Sequence, residues 1–108
     1  MDKPRAKTVK ETREEFLRAI RGIAKYWGET DTRPMSAQER CDGVAFSILV
    51  LLDGGTLGFP AVDMYPAPHE DDQKYHEKHG ENWFNPDVAF NNCQLHEFFH
   101  NKEHDAQS

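Results

Sequence analysis

Ser36-Ala-Gln-Glu-Arg-Cys-Asp-Gly-Val-Ala-Phe-Ser-Ile-Leu-Val-Leu-Leu-Asp-Gly54 decides the fold. Ser36 and Glu39 have capping-box spacing, in which the serine hydroxyl and the glutamate carboxylate each satisfy a backbone N–H exposed at a helix start. From Val44 to Leu52 every residue except Ser47 is apolar, which leaves no face for water. A helix of that kind belongs at the centre of other elements rather than on a surface. Asp53-Gly54-Gly55 ends it, because glycine takes the left-handed conformation of a helix C-terminus without steric cost. A buried strand is the alternative for such a run, but the capped, continuous stretch from Ser36 favours helix.

Upstream, Thr8-Val-Lys-Glu11 is a second capping box, and Phe16, Ile20, Ile23 and Trp27 follow at helical spacing with Leu17 and Ala24 beside them. This predicts an amphipathic first helix ending near Gly28, after a flexible polar tail over residues 1–7 and before a polar connection containing Pro34. Downstream, Pro60, Pro66 and Pro68 force residues 59–68 to be extended. That segment is expected to wrap the central helix with Phe59, Val62, Met64 and Tyr65. His69 to Lys78 reads as a short solvated helix stopped before Gly80, with Tyr75 as its anchor. Asn82-Trp-Phe-Asn-Pro-Asp87 reads as a turn, and Asn91 or Asn92 as the cap of a last helix reaching about Lys102, with Leu95, Phe98 and Phe99 on its apolar face. The architecture predicted is all-α, a bundle of three helices plus one short helix in a single domain over 8–103, followed by a flexible 104–108.

The 108 residues suit one core, and 37% hydrophobic against 30% charged residues places the chain outside the disordered class. The net charge of −6 is unevenly spread: residues 1–40 carry 10 Lys/Arg and 7 Asp/Glu, and the remaining residues carry 3 and 12. A basic arm on an anionic partner is one reading of the first helix, but Glu11, Glu14 and Glu15 dilute the positive field that a nucleic acid requires. A nucleic-acid partner is therefore not expected. No apolar run is long enough for a membrane span, and the opening residues lack the apolar run of a secretory signal, so the chain is expected in the cytoplasm without a membrane partner. There Cys41 and Cys93 would stay reduced and pack as small buried hydrophobes.

The residues that suggest chemistry lie near the end of the chain. His96-Glu-Phe-Phe-His100 fits the H-E-x-x-H pattern, in which two histidines one helical turn apart bind zinc and the glutamate activates its water. Over these five residues the chain resembles zincin metallopeptidases, which would make His96 and His100 ligands and Glu97 the general base, with His104 or an upstream acid completing the set. A longer zincin signature is absent. Cys93, His96, His100 and His104 also form a tolerable set for structural zinc. The competing account is a helix whose histidines point sideways or outward and titrate freely, with Cys93 packed inward.

A second cluster, Pro68-His-Glu-Asp-Asp72 with His76, His79 and Glu81, offers imidazoles and carboxylates that suit a hard cation or acid–base work, and equally an ordinary acidic surface helix. Asp53-Gly-Gly-Thr-Leu-Gly58 lacks the Lys-Ser/Thr of a phosphate loop and reads as a helix end. Trp83 and Phe84 are either core plugs or, with His69, Asp71 and Asp72, an aromatic anchor for a protein partner.

The stretch from Ser36 to Gly54, together with Pro66-Ala-Pro-His-Glu-Asp-Asp72 and Gly80-Glu-Asn-Trp-Phe84, resembles small bacterial proteins to which no activity is assigned. The resemblance covers about half the chain, from Ser36 onward. It implies a compact domain of bacterial or phage origin and carries over no site residue. The functional expectation is an intracellular interaction or regulatory protein that binds another protein without catalysis. The alternative is a zinc-binding protein or a minimal metal-dependent hydrolase using His96, Glu97 and His100, and a homo-oligomer through a leftover apolar face is left open.

Overall fold

Two capped helices set out the architecture. In the computed structural model, which describes residues 3–29 and 34–100, helix α1 spans Val9–Glu29 and helix α2 spans Ala37–Leu52. Both capping boxes form. The Glu11 N–H donates to Thr8 Oγ1 at 3.1 Å and the Thr8 N–H to Glu11 Oε1 at 2.8 Å, while Ser36 and Glu39 exchange equivalent bonds at 3.1 and 3.2 Å. Ahead of α1 the chain lies back along the helix, with Arg5 2.7 Å from Glu11 and Lys7 2.7 Å from Glu15. The Arg5 guanidinium, with the Thr8 hydrogen bonds behind it, holds the Glu11 carboxyl down at about 2 from its ordinary 4.5.

α1 and α2 pack together as a hairpin. Trp27 Nε1 donates to Ser47 Oγ at 2.9 Å, so the only polar side chain in the apolar run of α2 is satisfied by α1. Arg40 donates to the Trp27 carbonyl from the other end of α2. Gly43 lies directly against the indole: a Cβ there would stand 2.7 Å from ring carbons. α2 closes as its glycines require, with the Asp53 N–H bonded to Leu49 O at 2.9 Å and Gly54 at φ +84°.

Beyond α2 the chain is extended without forming a strand among the described residues. It meets the hairpin where the Phe59 ring lies tilted at 47° against Phe16 of α1, with centroids 5.6 Å apart, and where the Val62 N–H donates to Leu52 O at 3.0 Å. Asn91 fastens it from the other side, accepting from the Met64 N–H at 2.7 Å and donating to the Val62 carbonyl. Two short helices follow, α3 over Asp72–Lys78 and α4 over Leu95–Phe98, and α4 packs on α2. The chain is therefore all-α, with four helices and no sheet among the described residues. None of these helices is long and apolar enough to cross a membrane.

Several local expectations are corrected. Asn91 is no helix cap but a buried bridge between Val62 and Met64, and α4 starts at Leu95, after a Gln94 that is still extended. The expected end near Lys102, and the tail 104–108, lie outside the described residues. Tyr75 is exposed and lies tilted against His79, with centroids 4.3 Å apart, instead of anchoring α3. Trp83 and Phe84 do not plug the core; they stand 46% and 61% exposed. Cys41 and Cys93 are both free and exposed rather than buried.

The core is thin. Among the described residues Leu51 is the one hydrophobic side chain fully buried, and α1 has no buried residue at all. The Cα radius of gyration is 18.2 Å, against about 13 Å for a compact chain of this length. The accessible surface is 9089 Å², where a folded monomer of this mass exposes about 6,200 Å².

Because the Trp27 ring is held by its bond to Ser47, Gly43→Ala forces the indole off that position. Overpacking outweighs the gain in helix propensity, and urea denaturation should show a net loss of about 1 kcal/mol or more. Unchanged or higher stability would mean that the indole does not rest on this glycine.

Candidate functional site

Two regions gather the residues singled out by the sequence. The first is built on α3. Pro68 leads into a turn in which His69 Nδ1 accepts from the Asp71 N–H at 3.1 Å and His69 O from the Asp72 N–H at 2.9 Å. Gly80, at φ +68°, ends the helix by turning the chain back, and the Glu81 N–H bonds to His76 O at 2.8 Å. Asp72 then ties the returning loop to the helix. Its Oδ1 stands 3.2 Å from His76 Nε2 and its Oδ2 accepts from the Phe84 N–H at 3.3 Å.

Between these walls lies a groove of about 430 Å³, with Pro68, His69, Glu70 and Asp72 on one side and Trp83, Phe84, Asn85, Pro86 and Asp87 on the other. Four of the five residues expected at a partner surface, His69, Asp72, Trp83 and Phe84, thus line one cleft. Asp71 does not line it and is exposed beside His69. His69, Glu70 and Asp71 place ligand atoms within 4.8 Å of one another, but all three are exposed, and exposed carboxylates of this kind hold cations weakly against water.

The second region joins α4 to the end of α2. The Asp53 side chain is withdrawn from solvent, and its Oδ2 accepts from the His96 N–H at 2.9 Å and meets His96 Nδ1 at 2.6 Å. Burial pushes the Asp53 carboxyl up, but hydrogen bonds from the His96 backbone and ring and from the Leu95 backbone outweigh it, and the group ends below its ordinary 3.8. With Nδ1 directed at the carboxylate, Nε2 is the ring nitrogen left outside that bond. The His96 ring lies edge-on to Phe46 of α2 at 5.6 Å, and His100 stacks on the same ring at 5.5 Å and 24°.

This alters the expected orientation of the last helix in part, since Leu95 is half-buried as expected and His100 is exposed. His96 turns toward α2 and is half-buried, while Phe98 and Phe99 are 47% and 37% exposed. Asp53 explains the difference, since it captures the first turn of α4 and its imidazole together. Cys93 precedes the helix and is exposed, so it does not share a helical face with His96. Among the described residues no third His, Cys, Asp or Glu atom joins His96 and His100 within 4.8 Å; Glu97 is exposed, and His104 lies outside the described residues.

Sequence reading did not find the Asp53–His96 pair or the Asn91 bridge. The only available signal for Asp53 was a carboxylate at a helix C-terminus, where the helix dipole disfavours it and a partner is therefore required. Asn91 carried no such signal.

Comparison with known proteins finds no family model, no curated protein and no solved structure that matches the chain.

The folded state favours ionised Asp53, so its contribution is full above about pH 4 and disappears as pH falls through the lowered value. At neutral pH, Asp53→Asn should cost about 1 kcal/mol in urea denaturation, the difference between a charge-assisted and a neutral bond. The gap between wild type and variant should narrow as pH falls below about 4 and close only once pH is below the lowered value of the Asp53 carboxyl. A gap that stays constant with pH would show that the charge is not what holds α4.

Proposed function

We propose that the chain acts by binding another protein, without catalysis, as an interaction or regulatory protein in the cytoplasm of a bacterial or phage-infected cell. The groove between α3 and the 83–87 turn is its contact surface. One observation carries this reading: Trp83 and Phe84 remain 46% and 61% exposed although the turn bearing them is fastened to Asp72. Aromatic side chains held in position at a groove and left open to water are the groups that dominate interface energies. His69 and Asp72 supply polar partners at its edge. Installing the photo-crosslinker p-benzoylphenylalanine at Phe84 should trap a discrete protein adduct in cells, and Trp83→Ala in the same chain should abolish it. Adducts that are diffuse, or indifferent to Trp83→Ala, would remove the groove as the contact surface.

The second reading is zinc binding, or metal-dependent hydrolysis with Glu97 as base. It is favoured by the Asp53–His96 bond, because carboxylates that fix one imidazole nitrogen commonly orient the other toward a metal. His100, stacked on the same Phe46 ring, would be the second ligand. Elemental analysis of untagged protein purified without chelator decides it. Near-stoichiometric zinc that is lost in His100→Ala supports the site, whereas no zinc in wild type makes the H-E-x-x-H pattern a coincidence.

A further inference from the structure

From Val44 to Leu52 α2 is apolar around nearly its whole circumference, yet α1, α4 and the Phe59–Val62 segment leave those residues, Leu51 apart, only half-buried. A helix hydrophobic on every side is stable in water only when it is surrounded. The chain exposes about 2,900 Å² more than a folded monomer of its mass.

We propose that the groove on the α1–α2 hairpin lined by Ala19, Ile23, Tyr26, Phe46 and Val50 is an interface between two copies of this chain, packed across a two-fold axis into one shared helical core.

Charge selects this groove and this occupant. A two-fold contact sets a patch against itself, so a net charge within the patch meets its own sign. The lining here, about 400 Å³ in volume, contains no charged residue. The other apolar groove of the hairpin has both Lys7 and Arg13 in its wall, and the groove between α3 and the 83–87 turn has Glu70, Asp72 and Asp87. Either of those would oppose like charges across a two-fold, whereas the α1–α2 groove opposes none. Gly22 opens its α1 side, since a Cβ there would meet no atom within 4 Å. An approaching helix finds room at that point. This inference concerns a different surface from the Trp83–Phe84 groove and stands independently of it.

Sedimentation velocity of the full chain over about 1–100 µM should show a species of twice the chain mass. Gly22→Glu adds a carboxylate at the groove without a clash in the single chain, and Tyr26→Glu does so from a side chain already 63% exposed. Each should weaken dimerisation about tenfold or more with far-UV circular dichroism unchanged; if one variant loses helix, the other decides. Trp83→Ala should leave the dimer intact. A monomeric wild type over this range, or a dimer that both glutamates leave intact, overturns the proposal. So does a dimer lost in Trp83→Ala, which would assign self-association to the other groove. A monomeric wild type that still gives the Phe84 adduct to a different protein ends this interface and leaves the binding function standing, and a dimer lost in Gly22→Glu without any adduct does the reverse.

Discussion

Between Val44 and Leu52 the polypeptide offers water only the Ser47 hydroxyl, and that hydroxyl oxygen accepts from the Trp27 indole N–H. Nine residues with no polar side place one demand on the rest of the molecule, which is to supply apolar cover. α1 answers along one flank, and Gly43 lets Trp27 lie close. Phe46 receives two imidazoles from the α4 region, and Leu52 is met by Val62. Only at Leu51 do these contributions close completely. Elements as short as α3 and α4 present too little area to finish the task, so the thinness of the core follows directly from the length of the helices available to surround α2.

The joint at Asp53 shows how a polar group fixes what apolar contact leaves loose. At the C-terminus of α2 a carboxylate faces the negative end of the helix dipole, which is unfavourable. At the N-terminus of α4 the same carboxylate faces unpaired N–H groups, which is favourable. Asp53 serves both ends, and its lowered pKa records that the second effect, with the His96 ring added, exceeds the first together with burial. Four residues of helix cannot persist alone in water. α4 exists because Asp53 satisfies its first turn while Phe46 covers the side chains that the turn presents.

Features decided within a few residues were legible in the sequence. Thr8 with Glu11 and Ser36 with Glu39 fix two helix starts through contacts three residues apart, and Gly54 and Gly80 mark the ends of α2 and α3 by needing a positive φ. Features decided at long range were not. Helical periodicity placed Leu95, Phe98 and Phe99 inward, but only Leu95 is half-buried, because an aspartate 43 residues away draws His96 inward beside it. Asn91 looked like a cap by residue type and instead bridges a segment 27 residues upstream. The candidate site divides in the same way. His69 and Asp72 come together with Trp83 and Phe84 because the reversal at Gly80 is local, whereas Cys93 parts from His96 because the start of α4 was misplaced. The exposure of Trp83 and Phe84 followed from neither pattern nor composition, since burial depends on what the whole chain can cover.

The two open surfaces differ in kind. Permanent interfaces resemble a core cut in half, while transient ones mix aromatic anchors with polar edges. In composition the uncharged groove of the α1–α2 hairpin resembles the first kind, and the groove holding Trp83 beside Glu70, Asp72 and Asp87 resembles the second. These surfaces draw on different residues, so association through the first leaves the second open on each copy. A two-fold dimer therefore presents two aromatic grooves at a fixed separation, and a partner with two matching sites gains effective concentration without any new contact. In such an assembly the uncovered circumference of α2 and the exposed aromatics are not two defects of a small fold. On the proposed dimer, the first would build the particle and the second would give it two places to bind.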